Sequence, residues 1–469
     1  MGRKRFPEAD VVIIGGGITG AAIARELSRY KAEVILVEKS GELSAGQSKA
    51  TFGVIYTGLN MVGSLVLKSV MLPPGTPPSA LHDPNKLLEK WSEEGFKEWP
   101  QVFEELDIRY QYLPLLIMAI NKDQIEDMQK YIDIGRSMGG IYADFEQLTR
   151  EKILALEPNV NKDVITGLYA KDHVIDIFPP KLVMAMAENA SQNGAQILLN
   201  AEVTGISQKG EYQIVKTARG PMKTKFIVNA AGGWADRIAD MGGPRDWGLQ
   251  YRKSQLIILD RRSRGLVNGV VRLPNVPGRL AIIQPRDNNI MVNIGTYDPT
   301  DSPEDTDTIR RDVLSAMKIA KTMVPAISEK DIITSFGGVR VFNTRNIPDH
   351  LVEFMPNNQR FLNAVIRLPG FIGALPMARH VVTMLGDAGL ELETKHNFNP
   401  YRKAIPRFGE LTNDERNKLI AQNPKYGHVI CRCETVTEGE IVEAIGRGAR
   451  TVQGIQFRTR AGMGRCQRG

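Results

Sequence analysis

The chain has 469 residues, 42% of them apolar and 24% charged, with a net charge of +7. That length is too great for one ordinary core and predicts two or three domains, while the composition is that of a globular protein. No apolar run approaches the roughly 20 residues that span a bilayer, and the basic start "MGRKRFPEAD" leads into no plain apolar stretch with a cleavage site, which argues against a secretory signal.

The first elements read strand, glycine turn, helix, strand. "DVVIIGGG" is a β-branched run entering glycines, "ITGAAIARELSRY" has helical spacing, and "AEVILVEKS" is a second apolar strand ending in an acid. Gly15, Gly17 and Gly20 stand in G-x-G-x-x-G spacing, and Glu38 closes the second strand. In that context the first glycine makes the tight turn, the second admits a pyrophosphate, and the third lets helix and strand pack closely. The helix N-terminus offers N–H groups to phosphate, and Glu38 is placed for ribose hydroxyls. The spacing alone does not separate NAD from FAD. A single copy at the N-terminus, in an α/β unit interrupted by strand-rich sequence, favours a tightly held flavin.

"GELSAGQSKATFGVIYTG" then reads as a loop, and the prolines of "MLPPGTPPSALHDPN" predict an excursion or lid. Helical patterns follow in "KLLEKWSEEGFKEWPQVFEEL" and "KDQIEDMQKYIDIGRSMG", and a helix–strand passage in "PPKLVMAMAENASQNGAQILLNAEVTGI". "SQLIILD", "GVVRLP", "LAIIQP" and "NIMVNIG" alternate like an antiparallel sheet. The helix "TIRRDVLSAMKIAKTM", a late strand–turn–helix around "LPGFIGALPM", and the polar, extended "KHNFNPYRKAIPRFGELTNDE" complete the pass.

On "DVVIIGGGITGAAIARELSRY…VILVEKS", "GQSKATFGVIYTG", "FIVNAAGGWADRIA", "FGGVRVF" and "LNAVIRLPGFIGALPMARHV", residues from about Ala9 to Leu392 resemble the FAD-dependent oxidoreductases of the D-amino-acid-oxidase superfamily, in particular the glycerol-3-phosphate and L-2-hydroxyglutarate dehydrogenase branch. The resemblance implies cofactor contacts from Glu38 and Lys39, from Ser48, Lys49 and Ala50, from Val203, from Ala230 and Gly232, and from Gly370, Phe371 and Ile372. It also implies an anionic substrate fixed by arginine, with Arg340 and Arg367 as candidates. Relatives carry a histidine where "FGVIYTG" has Tyr56, which is expected to orient substrate, since a tyrosine of ordinary pKa near 10 is a poor base.

All three cysteines lie near the end, which with their odd number argues against a disulfide framework and for a reducing, cytoplasmic setting, at most peripheral to a membrane. From Tyr401 onward 13 Lys/Arg face 7 Asp/Glu, yet no aromatic clusters or nucleic-acid module accompany them, so no nucleic-acid partner is expected. "CRCETVTEGEIVEAIGRGARTVQGIQFRTRAGMGRCQRG" resembles the bacterioferritin-associated-ferredoxin-like [2Fe–2S] domain, which matches Cys431, Cys433 and Cys466 to three of four thiolate ligands and would put the fourth past Gly469, as if the sequence were cut short. Zinc on the three thiols with His428, or inert thiols, are the alternatives.

The expected fold class is α/β plus α+β. A Rossmann-like FAD-binding domain (about 1–90, 147–235 and 332–395) is interrupted by an antiparallel-sheet substrate domain (about 91–146 and 236–331); a linker over 396–427 leads to a small helical iron–sulfur module over 428–469. The expected function is hydride transfer from a small anionic alcohol, sn-glycerol 3-phosphate first, to FAD, with electrons passing to a protein subunit or quinone-linked acceptor in a hetero-oligomer. A 2-hydroxy acid, an amine or amino acid, or a non-catalytic electron relay are the competing readings.

Overall fold

A computed structural model describes residues 7–63, 86–274, 281–285, 289–345 and 349–467. The proline-rich stretch read as a lid, residues 71–85, lies outside the described residues.

Two large sheets organise the chain. The first has eight strands around β1 (Glu8–Ile14). β2 (Val34–Val37) and the strand Gly220–Asn229 flank β1 in parallel, and Gln196–Leu198 and Asn358–Val365 extend the parallel set outward. β1 and β2 are apolar almost throughout because both faces of such a sheet are covered. On one face lie α1 (Ile18–Leu27) and the helices Leu87–Glu105, Pro179–Gln192 and Gly370–Asp387, whose Ile23, Trp99, Met186 and Met377 share one core with Ile13 and Leu36. On the other, the short Ala235–Gly242 helix packs over Val12 and Ile35.

The second sheet has nine strands, in the order Ile332–Asn343, Leu249–Leu259, Met291–Thr300, Ala281–Ile283, Val270–Arg272, Gln111–Ala119, Thr166–Asp176 and Val54–Tyr56, with Glu146–Thr149 on the side. Its pairings are antiparallel except that Val270–Arg272 runs parallel to Gln111–Ala119. The four strands read from "SQLIILD" to "NIMVNIG" are neighbours here. The strand Ile332–Asn343 pairs along its whole length with Leu249–Leu259, so it belongs to this sheet and not to the first.

Beyond residue 400 the chain is less extended than its polarity suggests. Asn413–Gln422 forms a helix with no buried residue, fixed by a reciprocal capping box between Thr412 and Glu415. The terminal module is a two-stranded pair, Val429–Cys431 with Val436–Thr437, and the helices Glu438–Gly446 and Val452–Thr459. Its own core is small, Ile405, Ala444 and Ala449 with Ile455. Phe457 instead joins the core beneath the first sheet, which anchors the module to the rest.

Candidate active site

The parallel strands of the first sheet end on a cleft of about 310 Å3, lined by Ile14, Val37, Ala230 and Ile366 from strand ends or the residues just past them. Ligands of open α/β sheets lie in this position, beyond the carboxyl ends of the strands. Gly15 turns there with φ +113°, and a Cβ on it would stand 2.4 Å from the Ala230 carbonyl oxygen. A Cβ on Gly20 would stand 2.0 Å from the Gly15 carbonyl, so α1 crosses the turn only because Gly20 has no side chain. Gly17 caps α1 without a side chain of its own, while Ser48 Oγ accepts from the Ile18 N–H at 3.0 Å. Glu38 accepts from the Gly16 N–H at 2.7 Å and from the Ser40 N–H at 2.9 Å, which holds its carboxylate at the cleft rim. This cradle fits the pyrophosphate and ribose of a dinucleotide: bare glycine backbone, a helix N-terminus and one fixed carboxylate.

Gly15, Gly17, Glu38, Lys39, Ser48, Val203, Ala230, Gly232, Gly370, Phe371, Arg340 and Arg367 all line this cleft. Lys39 stands 3.6 Å over the Trp234 ring and 3.7 Å from Glu304, and both of those also line it. Trp234 adjoins the "NAAGG" signal, but nothing in the sequence marks Glu304. Five expected residues fall elsewhere, Lys49 among them on the wall of a second cavity. Gly20 packs behind the turn. Ala50, 2% exposed, accepts from Arg340 Nη1 at 2.7 Å. Ile372 is buried, its carbonyl 1.8 Å from where a Cβ on Gly95 would be. Tyr56 is buried in the second sheet's core with Leu113 and Val174 and lines neither large cavity.

The turn that presents Gly370 and Phe371 is held from behind. Trp99 Nε1 donates to the Phe371 carbonyl at 3.0 Å, and Asp349 caps the Leu87–Glu105 helix through the Leu87 and Leu88 N–H groups. His350 stacks on Trp91 and accepts from the Arg367 N–H through Nδ1 at 3.1 Å. Burial, and then the nearby Arg367 charge, push its pKa down to about 3, so His350 stays neutral and acts as a fixed acceptor.

A second cavity of about 380 Å3 meets the first at Thr51. Lys49, Phe52 and Phe336 line it from one side, and Gln456, Arg460 and Met463 of the terminal module close it from the other. Burial lowers the pKa of Lys49. The loop that supplies Met463 carries Cys466 and packs against the other two cysteines: the Gly462 N–H donates to Cys431 Sγ at 3.3 Å, and a Cβ on Gly464 would lie 2.5 Å from Cys433 Cβ. Cys431 and Cys433 are half-buried and Cys466 is exposed. Among the described residues no group of three His, Cys, Asp or Glu side chains is gathered closely enough to hold a metal ion. A [2Fe–2S] centre takes four thiolates, of which this sequence holds three. Soft thiolates on a glycine loop with an N–H donor to sulfur suit such a centre in kind.

Comparison with known proteins agrees with this geometry. Residues 10–384 match the family described as FAD dependent oxidoreductase, and residues 429–468 match the BFD-like [2Fe-2S] binding domain. The glycerol 3-phosphate dehydrogenase of Caloramator mitchellensis is 33% identical over 465 residues, covering 98% of this chain and 91% of the relative. The anaerobic glycerol-3-phosphate dehydrogenase subunit A1 of Haloferax volcanii is 25% identical over 517 residues, 99% of this chain and 81% of that protein. Among solved structures, the dithionite-reduced L-alpha-glycerophosphate oxidase of Mycoplasma pneumoniae with FAD bound superposes with a TM-score of 0.72 at 28% identity, over 84% of this chain and 98% of that one.

Proposed function

We propose that this chain, which belongs to the FAD dependent oxidoreductase family, oxidises sn-glycerol 3-phosphate at its secondary alcohol and hands the electrons to a protein partner. The observation that carries the reading is the pair of guanidinium groups, Arg340 and Arg367, on the wall of a dinucleotide cleft beside the Gly370–Phe371 turn. The full-length likeness to a glycerol 3-phosphate dehydrogenase supports the substrate.

Bound FAD supplies the hydride acceptor. The residues assigned to hold it are Gly15, Gly17 and Ser48 at the phosphates, Glu38 at the ribose, and Val203, Ala230, Gly232, Gly370 and Phe371 along the cleft. Arg340, 1% exposed and tied to the Ala50 carbonyl, presents a fixed positive charge to an anionic substrate. Oxidation of an alcohol also releases the hydroxyl proton. On the second cavity's wall Lys49 and Asp176 are the side chains able to take it. Tyr56, in the sheet core, is assigned no part in that step.

Electron transfer outward rests on the module. Its cysteine-bearing loop walls a cavity that borders the dinucleotide cleft at Thr51, which favours a dehydrogenase with a wired acceptor over a non-catalytic relay. Cys431, Cys433 and Cys466 are assigned as cluster ligands. The likeness to an anaerobic glycerol-3-phosphate dehydrogenase subunit A1 supports a partner subunit; the acceptor is proposed to be that subunit or a quinone-linked one, in the cytoplasm or at a membrane face. Among the described residues no helix is long and apolar enough to cross a membrane.

The test is anaerobic titration of the FAD-loaded chain with sn-glycerol 3-phosphate and, separately, L-2-hydroxyglutarate. Bleaching of the flavin's visible band by the first alone is expected. Bleaching by the second alone would move the substrate to 2-hydroxy acids, and bleaching by neither would leave the relay as the better reading.

A further inference from the structure

Where the terminal module meets the oxidoreductase body, cations outnumber the carboxylates that pair with them. A small cavity of about 50 Å3 is lined there by Arg109, Lys181, Arg407, Arg458 and Arg460, with Asp176 the one acidic side chain on its wall. These cations come from four separate stretches of the chain, so tertiary folding gathers them and no single solvated face accounts for the charge. The cavity shares no lining residue with the dinucleotide cleft.

The arginines have carboxylates, most of them shared. Arg109 and Arg407 divide Glu410 between them. Arg458 lies 3.0 Å from Glu42, and it reaches Glu188 together with Arg402 and Arg447. Arg460 and Arg261 both reach Glu434, at 3.1 and 3.2 Å. Lys181, near the start of the Pro179–Gln192 helix, makes no hydrogen bond or ion pair with a described residue. The charges acting on it are Arg407 and Arg402 against Glu410 and Asp107. Lys181 is half-buried, and an ammonium partly withdrawn from water beside two guanidinium groups is costly unless an anion joins it. The space holds about three or four waters, which suits one tetrahedral oxyanion and excludes a nucleotide. Guanidinium forks match the oxygens of such an ion.

We propose that this cavity binds one small oxyanion, inorganic phosphate or sulfate, held by Lys181 with Arg407 and Arg460 and bridging the body to the cysteine-bearing module. The ion supplies the negative charge that the shared carboxylates lack, and its binding strengthens the attachment of the module.

The test is calorimetric titration of the FAD-loaded protein with sulfate and with inorganic phosphate, chloride serving as the ionic-strength control, alongside thermal melting. One saturable site and a raised Tm are expected for the oxyanions and not for chloride. Lys181→Met should weaken binding at least tenfold, and without added anion it should melt no lower than the parent, because it removes an unpaired charge. Lys181→Arg should retain binding. Sulfate, which does not itself titrate near neutrality, should bind more weakly as pH rises through about 8, the value to which burial pulls Lys181. Absence of saturable binding, an equal Tm rise with chloride, or binding lost in Arg340→Lys but kept in Lys181→Met would each overturn the proposal. The last outcome would put the ion in the substrate's cavity instead.

Discussion

Arg340 donates from Nη1 to the carbonyl oxygen of Ala50 at 2.7 Å, which ties the second sheet to the loop that borders the dinucleotide cleft. Gly338, two residues earlier in the same strand, makes the approach possible, since a Cβ on it would lie 2.6 Å from that of Ala50. The guanidinium is therefore held before any substrate arrives. Arg340→Lys keeps the charge but loses the fork. It should lower kcat/KM for glycerol 3-phosphate about 100-fold, or ~3 kcal/mol of transition-state binding, while the protein still purifies with flavin. Steady-state kinetics with the flavin spectrum as control checks both halves, and a variant with unchanged kcat/KM would remove Arg340 from the substrate site.

Two glycines, Gly20 behind the turn of the cleft and Gly232 on its wall, should respond differently to alanine. At Gly20 the new Cβ meets the Gly15 carbonyl at 2.0 Å, so α1 must move off the phosphate turn. Gly20→Ala should purify without flavin and melt well below the parent. Gly232 has φ +57° but no heavy atom within 4 Å of an added Cβ, so only the backbone strain remains, about 1 kcal/mol. Gly232→Ala should keep its flavin. Visible spectra of the two purified variants decide the matter, and equal flavin loss in both would mean that the clash is not what selects Gly20.

The parts of the site that local sequence announces are those made by one short stretch. The turn of Gly15 to Gly20 and the acid at Glu38 fall within one βαβ unit, and spacing alone places them. Tyr56 shows where such reading stops. Ile55 joins the core under the first sheet while Tyr56 joins the core of the second. A strand covered on both faces gives no alternation to say which way a side chain points. The helix Asn413–Gln422 was hidden for the opposite reason: it buries nothing, so no apolar period exists, and only Thr412 and Glu415 mark its start. The wall that Gln456 and Met463 build opposite Lys49 joins positions some four hundred residues apart, and no local pattern encodes it.

Away from the cavities, Glu157 offers a pH test of the fold. Only 3% exposed, it accepts the Asn268 N–H with both oxygens at 3.0 Å. Burial outweighs that bond and pushes its pKa up from 4.5 to about 7. A raised carboxyl pKa means the folded state prefers the protonated form. The stability is full below about 4.5 and is lost as pH rises through about 7. Glu157→Gln, which cannot ionise, should therefore be about 2–3 kcal/mol more stable than the parent at pH 8 and close to it at pH 4.5. Urea midpoints at the two pH values measure this, and a difference independent of pH would refute the assignment.

The cysteine loop and the second cavity share a wall, which separates two kinds of defect. Gly464 has no room for a side chain, because its Cβ would lie 2.5 Å from Cys433 Cβ. Gly464→Ala should displace the loop and lower both the iron and the acid-labile sulfide recovered with the protein. Because Met463 and Gln456 line the cavity, the same change should also raise KM for the substrate. Cys433→Ser alters a proposed ligand without adding bulk. It should lower iron and sulfide equally, leave anaerobic bleaching of the flavin by glycerol 3-phosphate within about twofold of the parent, and abolish turnover with a protein acceptor. The comparison of the two variants is what discriminates. If Cys433→Ser also stops flavin bleaching, the module has a part in substrate oxidation itself. If Gly464→Ala leaves KM unchanged, the module's wall does not touch the substrate and its contribution is confined to carrying electrons away.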